Sequence, residues 1–351
     1  MINVLIAEDS KLTRMVLRDL LAGDSQIHVV GEVDNGRAAV DETLRLKPNL
    51  VIMDIMMPVM DGLEAVEEIM ARCPTPILIL SANVDRDDNL CAFNAIERGA
   101  LDVMEKPRGV VTEAFDAIAA QLIEKVKTLS RMRVITHFRK RKRHAEVLVP
   151  TATMVPPSLP LATTFHTLAI GASTGGPRAV MKLITALPND ISAGVAIVQH
   201  ISTGFDRGFA DWLNRESQLT VRLARAGDKM EPGLVLLAPN GTHMEIRRQR
   251  VQLIDGPPVN CCKPAVDKLF HSLAGKETAP GVLGVLLTGM GCDGAEGMLA
   301  MKEGGAYNIV QDEASCAVYG MPRVAAERGA AHRILPLDDI PPAIVKLLQK
   351  R

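Results

Sequence analysis

Three polar residues in the second half of the chain have the types and the setting of a hydrolytic site. Ser173 lies in the glycine-rich loop 171–177, where glycines permit a strand-to-helix turn sharp enough to expose a hydroxyl. His200 and Asp293 each come just after another apolar segment. A nucleophilic serine, a histidine base and a carboxylate that orients the base together perform acyl transfer. The pattern therefore predicts a serine hydrolase site at one edge of a sheet.

The glycine loop by itself also fits two other interpretations. Its amides and the start of the following helix suit a bound phosphate, and a loop of this kind can also be a simple tight turn. Cys292, next to Asp293, is a competing nucleophile, but it has no strand-end base of its own. The presence of His200 and Asp293 at other strand ends favours Ser173 as the nucleophile. Loop amides near Met290 are candidates to stabilise an oxyanion.

A second group of polar residues follows the predicted strands in the first half of the chain. The residues are Glu8, Asp9, Asp54, Ser81 and Lys106. Carboxylates gathered at one sheet edge repel one another unless a cation is present, and Mg²⁺ prefers such oxygen ligands. Lys106 and Ser81 supply a positive charge and a hydroxyl for an incoming phosphoryl group. The group predicts phosphoryl transfer to Asp54, although each residue alone would be interpreted as a helix cap or a surface charge.

Alternating strand and helix patterns position both groups. The predicted strands before residue 127 are 4–7, 28–33, 50–53, 77–80 and 101–104, and they are followed by a predicted helix over 114–129. The predicted strands after residue 166 are 167–170, 195–198, 234–238 and 282–287. Such alternation predicts an α/β fold with parallel sheets, whose carboxyl ends collect the polar residues along one edge.

The predicted organisation is two domains joined by a linker. The first domain spans 1–127, the linker spans 128–165, and the second domain spans 166–351. The linker contains the basic cluster 139–143 and four prolines, without the interleaved aromatic residues typical of nucleic-acid binding. A chain of 351 residues that is 47% apolar is long enough to bury two cores.

Charge and composition argue against several classes of protein. The net charge of −1 disfavours whole-protein binding to nucleic acid or to an anionic membrane. No apolar run approaches the roughly 18 residues of a membrane span, and the N-terminal segment lacks the features of a signal peptide, which predicts a cytoplasmic protein. The six cysteines show no C-x-x-C spacing, so neither a disulfide framework nor a zinc site is indicated.

The first domain resembles the receiver domain of bacterial response regulators. The resemblance rests on Glu8-Asp9, Asp54, the segment 57–62, Ser81-Ala82 and Lys106-Pro107. It implies a flavodoxin-like (βα)5 fold in which Asp54 accepts a phosphoryl group from a histidine kinase. It also implies that Mg²⁺ is bound by Glu8, Asp9, Asp54 and the backbone carbonyl of Met56, and that the phosphoryl group is contacted by Ser81 and Lys106. Val103 stands where that family often has an aromatic switch residue.

The second domain resembles the CheB family of chemotaxis protein-glutamate methylesterases. The resemblance rests on the segments 170–177, 198–200, 238–239, 287–291, 293–294, 311–312 and 319–322, and on His243. It implies a doubly wound, mostly parallel α/β domain with Ser173, His200 and Asp293 as catalytic residues. It implies supporting roles at the oxyanion for Thr174 and the Met290 amide. Cys262 and Lys263 depart from that family's pattern, which has His and Arg at these two positions.

Together the resemblances imply phosphorylation-regulated hydrolysis of glutamate methyl esters on chemoreceptors, with release of methanol, and also deamidation of glutamine. The implied partners are a CheA-like histidine kinase and the methylated cytoplasmic domains of chemoreceptors, without nucleic acid and without membrane insertion. The implied cofactor is Mg²⁺ for the receiver, with none for the esterase.

Two other classes of function compete with this one. The alternative is a receiver-controlled partner-binding module whose esterase domain is weak or inactive. An NAD-binding oxidoreductase is disfavoured because the loop, with Gly171, Ser173 and Gly176, lacks the second glycine that a dinucleotide loop needs for close approach of the pyrophosphate.

Overall fold

A computed structural model describes residues 1–81, 86–107, 113–132 and 165–349 of the chain. These residues form two parallel sheets and one two-stranded antiparallel sheet. Most of the predicted linker, including the basic cluster 139–143, lies outside the described residues. Within the described ranges, no helix is both long enough and apolar enough to cross a membrane.

The N-terminal sheet has five parallel strands. They are β1 (Ile2–Ala7), β2 (Ile27–Val33), β3 (Leu50–Asp54), β4 (Ile77–Ser81) and β5 (Asp102–Glu105). Their order, β2-β1-β3-β4-β5, is that of a flavodoxin-like sheet and confirms the predicted fold class. The helices that alternate with the strands are α1 (Lys11–Ala22), α2 (Gly36–Leu46), α3 (Gly62–Arg72), α4 (Arg86–Glu97) and α5 (Glu113–Leu129).

The local sequence explains where two of these helices begin. Ser10 and Asp61 precede α1 and α3, and their side chains accept hydrogen bonds from the amides of Thr13 and Glu64. Such N-caps satisfy amides that have no partner inside the helix. Strands β3 and β4 are buried along their whole length, as expected for a parallel sheet covered on both faces. The chain therefore turns into a helix within a few residues of the strand ends that carry the acidic group.

The C-terminal sheet has seven parallel strands, and a hairpin lies beside it. The strands of this half are β6 (Thr167–Ala172), β7 (Gly194–Gln199), β8 (Thr220–Leu223), β9 (Leu234–Leu237), β10 (His243–Arg247), β11 (Arg250–Ile254), β12 (Val282–Leu286), β13 (Tyr307–Gln311) and β14 (Arg333–Leu335). The sheet order is β14-β13-β12-β6-β7-β9-β8, and β10 pairs with β11 as the hairpin. The chain leaves β6 towards β7 on one side and returns to β12 on the other. The topological switch point therefore lies between β6 and β12.

Helices cover both faces of the C-terminal sheet. They are α6 (Gly176–Thr185), α7 (Asp206–Glu216), α8 (Val266–Ser272), α9 (Ala295–Gly304), α10 (Met321–Glu327) and α11 (Ile340–Leu348). Leu168 and Ile170 of β6 pack in the core with α6, α7 and α11, whereas Ala169 packs in the core with α8, α9 and α10. Because successive strand residues point to opposite faces, this alternation makes the domain doubly wound, as predicted.

β8, β13, β14 and the hairpin were not predicted from the sequence. β14 is only three residues long, and two of them are exposed. β13 contains Asn308, a polar residue that is fully buried because its side-chain amide donates to the carbonyls of Met298 and Ala330. β13 and β14 thus lack the regular apolar pattern on which strand prediction depends, whereas β8 and the hairpin alternate polar and apolar residues and were missed despite that signal.

The two halves of the molecule pack through α4 and α7. The ring of Phe93 in α4 stacks on Trp212 of α7 with centroids 5.4 Å apart, and it also contacts Phe205 and Phe209. All four side chains are buried. They include the chain's one tryptophan and three of its seven phenylalanines, so much of its aromatic content lies at this interface.

Candidate active site

Ser173 follows the end of β6, in the turn that leads into α6. Gly175 has a φ of 73°, and a Cβ there would lie 2.3 Å from the Cβ of Ala317, so this position requires glycine. The Ser173 amide donates to the carbonyl of Thr288, and its carbonyl accepts from Gln199 Nε2 at 2.8 Å. The turn is thus tied to both neighbouring strand ends and holds Ser173 in place.

His200 and Asp293 meet next to this turn. Ala172 pairs with Gln199 at the ends of β6 and β7, so the next residues, Ser173 and His200, lie on adjacent strand ends. His200 Nε2 lies 2.9 Å from Asp293 Oδ2. The side chain of His200 is 15% exposed and that of Asp293 is 3% exposed. The structure therefore brings together the three residues that the sequence analysis singled out.

Asp293 is held as a carboxylate by several donors. Its Oδ2 accepts from the amide of Val266 at 2.6 Å, and its Oδ1 accepts from the amide of Asp267 and from Asn260 Nδ2. Burial on its own raises the pKa of Asp293, but the hydrogen bond and positive charge of His200, together with the other donors, outweigh it and lower the pKa below its usual value. The group beside the imidazole is therefore anionic at neutral pH.

Asn260 and Asp267 belong to the site but were not predicted as functional residues. Asn260 Nδ2 donates to Asp267 Oδ2 at 2.7 Å as well as to Asp293, and it bridges the two carboxylates. Burial raises the pKa of Asp267, and the negative charge of Asp293 adds to that effect. Asn260 has a φ of 52°, a left-handed conformation that asparagine tolerates better than most residues. A buried pair of carboxylates with one shared donor makes Asn260 a positioning residue for Asp293.

Replacing Asn260 with glycine is expected to lower kcat and leave KM nearly unchanged. Glycine keeps the left-handed backbone but removes the shared donor, and an unsatisfied buried group of this kind costs about 1–3 kcal/mol. The corresponding fall in kcat is about 5- to 150-fold. Steady-state hydrolysis of a methyl ester, alongside the thermal unfolding midpoint, measures the effect. An unchanged kcat in a folded variant would contradict the role of Asn260.

The hydrogen bond to Asp293 assigns roles to the two nitrogens of the His200 ring. When Nε2 carries the proton and donates a hydrogen bond to Asp293, Nδ1 carries the lone pair. Nδ1 is then the nitrogen that can act as a base. Among the residues that the structure describes, Ser173 Oγ has no hydrogen-bond partner, and Nδ1 lies 3.5 Å from Cys262 Sγ. Catalytic hydrogen bonds in free enzymes are often long and tighten when substrate binds. The hydrogen bond between His200 and Asp293 is thus already formed, whereas the one between Ser173 and His200 is not.

The loop after β12 approaches the serine closely. A Cβ at Gly289 would lie 2.7 Å from the Cβ of Ser173, so glycine is required for this approach. Thr288 Oγ1 donates to the carbonyl of Thr174 at 3.0 Å and joins the two turns. Thr174 is 6% exposed, whereas Met290 is 40% exposed and its sulfur accepts from Thr128 Oγ1 of α5. Thr174 and Met290 thus border the serine from both sides of the switch point.

The second predicted group also comes together, at the switch point between β1 and β3. Carboxylate oxygens of Glu8, Asp9 and Asp54 lie within 4.8 Å of one another. Lys106 Nζ lies 2.7 Å from Glu8 Oε2 and 2.9 Å from Asp54 Oδ2. Burial raises the pKa of Glu8 and of Asp54, and repulsion from a neighbouring carboxylate raises both values further. Lys106 acts in the opposite direction and lowers them in part. One lysine does not balance three carboxylates, so the cluster favours an additional cation.

The remaining residues of this group lie around the cluster. Ser81 at the end of β4 is buried, and its carbonyl accepts from the amide of Lys106 at 2.9 Å. Met56, just after β3, has a largely exposed side chain. Val103 is buried in β5, so no aromatic side chain occupies that position.

Family models match the two halves of the chain separately. The model of the CheB methylesterase matches residues 168–344, which is more than half of the chain, and the model of the response regulator receiver domain matches residues 4–117. The chain belongs to the CheB methylesterase family. The receiver match covers the sheet that carries the acidic cluster, and the CheB match covers the sheet that carries Ser173.

Relatives of similar length share this organisation. A protein-glutamate methylesterase/protein-glutamine glutaminase of Syntrophotalea carbinolica is 40% identical over 100% of this chain and 98% of that protein. A protein of the same name, numbered 2, from Pseudomonas aeruginosa is 39% identical over 100% of this chain and 98% of its own. The crystal structure of the Thermotoga maritima CheB methylesterase catalytic domain is 34% identical. It covers 52% of this chain and 99% of that chain, with a TM-score of 0.50.

The departure from the CheB pattern at Cys262-Lys263 lies at the site. Lys263 Nζ contacts Asp255 Oδ1 at 2.5 Å, at the exit of the hairpin. Within the described residues, the thiol grouped with His200 and Asp293 is that of Cys262 and not that of Cys292. Burial raises the pKa of the Cys262 thiol to about 12, which disfavours it as a nucleophile. The spacing of the cysteines contained no signal for this grouping, because the contact is made across 62 residues of chain.

Proposed function

We propose that this chain hydrolyses the methyl esters of glutamate side chains on chemoreceptor cytoplasmic domains, releasing methanol and restoring the carboxylates. The proposal rests on the His200–Asp293 pair on the strand ends next to Ser173, at the switch point of a doubly wound sheet. Relatives that match over the full chain are named protein-glutamate methylesterase/protein-glutamine glutaminase. These names favour an enzyme over a partner-binding module.

The catalytic sequence uses Ser173 as the nucleophile. His200 Nδ1 accepts the hydroxyl proton as Ser173 Oγ bonds to the ester carbonyl carbon, and the carbonyl oxygen becomes an oxyanion. Backbone N–H groups near Thr174 and Met290 stabilise that charge. The tetrahedral intermediate collapses, the imidazolium gives its proton to the leaving methoxide, and methanol departs. Water, activated by the same imidazole, then hydrolyses the acyl-enzyme and regenerates Ser173.

Asp293 and Asn260 act through His200. The carboxylate of Asp293 fixes the tautomer of His200 and stabilises the imidazolium that forms during attack. Its lowered pKa keeps it anionic throughout the cycle. Glutamine side chains are substrates of the same chemistry, with ammonia as the leaving group in place of methanol.

The proposed phosphoacceptor is Asp54, with a CheA-like histidine kinase as the phosphodonor. Its carboxylate lies at the carboxyl end of β3, where Lys106 already contacts it. Lys106 and Ser81 contact the phosphoryl group once it is attached. Because the kinase and the receptor domains are cytoplasmic, the proposed site of action is the cytoplasm.

The acidic cluster fits Mg²⁺. Three carboxylates supply the hard oxygen ligands that Mg²⁺ prefers. The pKa values of Glu8 and Asp54 are raised, and one lysine does not balance the negative charge of the three groups. Glu8, Asp9, Asp54 and the backbone carbonyl of Met56 would hold the ion. Bound there, Mg²⁺ would neutralise charge on the phosphoryl oxygens during transfer.

Regulation is proposed to pass from the receiver, 1–127, through the linker, 128–165, to the esterase domain, 166–351. The packing of Phe93 against Trp212 connects the receiver to the esterase domain, and Thr128, at the start of the linker, contacts Met290 at the serine edge. In this proposal the receiver restricts access to Ser173 until phosphorylation of Asp54 repacks the interface.

Methanol release from methylated chemoreceptor cytoplasmic domains tests the proposed activity. The full-length chain is expected to release methanol, and an activated ester is expected to give a burst of product equal to the enzyme concentration as the acyl-enzyme accumulates. A chain that binds receptor domains but gives neither methanol nor a burst would instead support the partner-binding module.

A further inference from the structure

Cys262 places a thiol against the catalytic imidazole. Its Sγ lies 3.5 Å from His200 Nδ1, and ligand atoms of Cys262, His200 and Asp293 all lie within 4.8 Å of one another. The three residues come from separate segments: the loop before α8, the end of β7 and the loop before α9. A cysteine, a histidine and an aspartate supply the three types of side chain that bind zinc in proteins.

The separation of sulfur and nitrogen matches a tetrahedral metal site. Zinc binds sulfur at about 2.3 Å and imidazole nitrogen at about 2.0–2.1 Å, and a tetrahedral angle then places the two ligand atoms about 3.6 Å apart. The observed distance between Cys262 Sγ and His200 Nδ1 is 3.5 Å. The distance between these two atoms is therefore already that of two ligands on one ion.

Asp293 supplies the support that zinc-binding histidines usually have. A ligating histidine commonly donates its other ring N–H to a carboxylate, which fixes the tautomer and makes the ligating nitrogen more basic. His200 Nε2 is bonded to Asp293 Oδ2 at 2.9 Å, and Asp293 is itself held by the amides of Val266 and Asp267. The hydrogen bond that prepares His200 as a base also prepares it as a metal ligand.

Two further thiols lie in the same two loops, outside the group of three ligand atoms. Cys261 and Cys292 are exposed, and the charge of each acts on the Cys262 thiol. Cys261 is the next residue to Cys262, and Cys292 is the next residue to Asp293. Water molecules, or one of these thiolates after a movement of its loop, would complete a four-coordinate ion.

We propose that His200 Nδ1 and Cys262 Sγ form a binding site for a thiophilic divalent cation, with Zn²⁺ as the preferred ion, and that the bound ion inhibits the esterase. On binding, the Cys262 thiol releases its proton to solvent, and lone pairs of sulfur and nitrogen are donated to the metal without any change of oxidation state. The imidazole can then no longer accept the proton of Ser173. Inhibition rests on the proposed function, whereas metal binding does not.

Cobalt spectroscopy of the full-length chain tests the binding site directly. Excess Mg²⁺ occupies the acidic cluster of the receiver, and Co²⁺ is then added as the probe. The wild-type chain and a control, Cys73→Ser, which removes a thiol from the receiver, are expected to show thiolate-to-cobalt charge-transfer absorption. Cys262→Ser is expected to lose it, and Cys262→Ala serves as a second variant if the first does not fold. Absence of the band in the wild type, or its persistence in folded Cys262→Ser, would overturn the proposal.

Zinc inhibition tests the consequence of binding. Each protein's ester hydrolysis is measured with increasing Zn²⁺ and expressed relative to its own rate after chelation. Cys262→Ser is expected to need at least about tenfold more Zn²⁺ for half-inhibition, whereas Cys73→Ser behaves like the wild type. Equal inhibition of all three would overturn the proposed inhibitory role. A wild-type chain that is inactive even after chelation would refute the proposed function, while the cobalt band still decides the metal site.

Discussion

Replacing Ser173 with alanine is expected to reduce methyl-ester hydrolysis by a factor on the order of 10⁶, the loss that follows removal of the serine from a catalytic triad. The reason is that neither of the described thiols near this sheet edge can take the place of the serine. Cys262 contacts that pair, but burial raises the pKa of its thiol to about 12, and Cys292 is exposed but is not grouped with His200. Methanol release measures the loss.

Two measurements separate a catalytic defect from a structural one in this variant. The alanine variant should still accept a phosphoryl group on the receiver, because that chemistry lies in the other sheet. Cys292→Ser is the matched control, since it removes the competing nucleophile from the same edge and should keep its burst with an activated ester. Methanol release by Ser173→Ala that disappears when Cys292 is also replaced would transfer the nucleophile role to the cysteine.

Replacing Asp54 with asparagine is expected to abolish activation by a small phosphodonor. The wild-type chain, given Mg²⁺ and the phosphodonor, should increase its rate of methanol release by about 5- to 150-fold, the range of a coupling free energy of about 1–3 kcal/mol. Asparagine cannot form an acyl phosphate, so the variant should stay at its own unphosphorylated rate. The ratio of rates with and without the phosphodonor is the measurement.

Asp41→Asn is the matched control for this variant. Asp41 is an exposed carboxylate on α2, outside the acidic cluster, and its replacement should leave the activation ratio as in the wild type. Chelation of Mg²⁺ should remove activation from both the wild type and the control. Equal activation of Asp54→Asn and Asp41→Asn would exclude Asp54 as the acceptor.

The interface between the halves gives this coupling a physical route. Phe93 in α4 and Trp212 in α7 are both buried in one continuous apolar cluster, and Thr128 in α5 contacts Met290 beside the serine. Packed interfaces change between discrete arrangements more readily than they deform continuously. A change at the receiver edge that contains Asp54 can therefore be transmitted to the loop after β12.

The strand ends were predictable because the information for them is local. Apolar segments that alternate with helical patterns predict parallel strands, and in a parallel sheet every carboxyl end lies at the same edge. Asp54, Ser173 and His200 each stand at or next to such an end, so their placement followed from periodicity alone. Strands such as β13 were missed because buried polar residues like Asn308 interrupt that periodicity.

The sequence by itself determined the fold class, the two sheet edges and the chemical types gathered at each of them. Only the tertiary structure decided that Nε2 of His200 contacts Asp293, that its Nδ1 faces Cys262, and that Asn260 also contacts Asp293. Both residues lie in the loop between the hairpin and α8, far along the chain from His200. Loop paths depend on long-range packing rather than on local periodicity, so no spacing in the sequence could reveal these contacts.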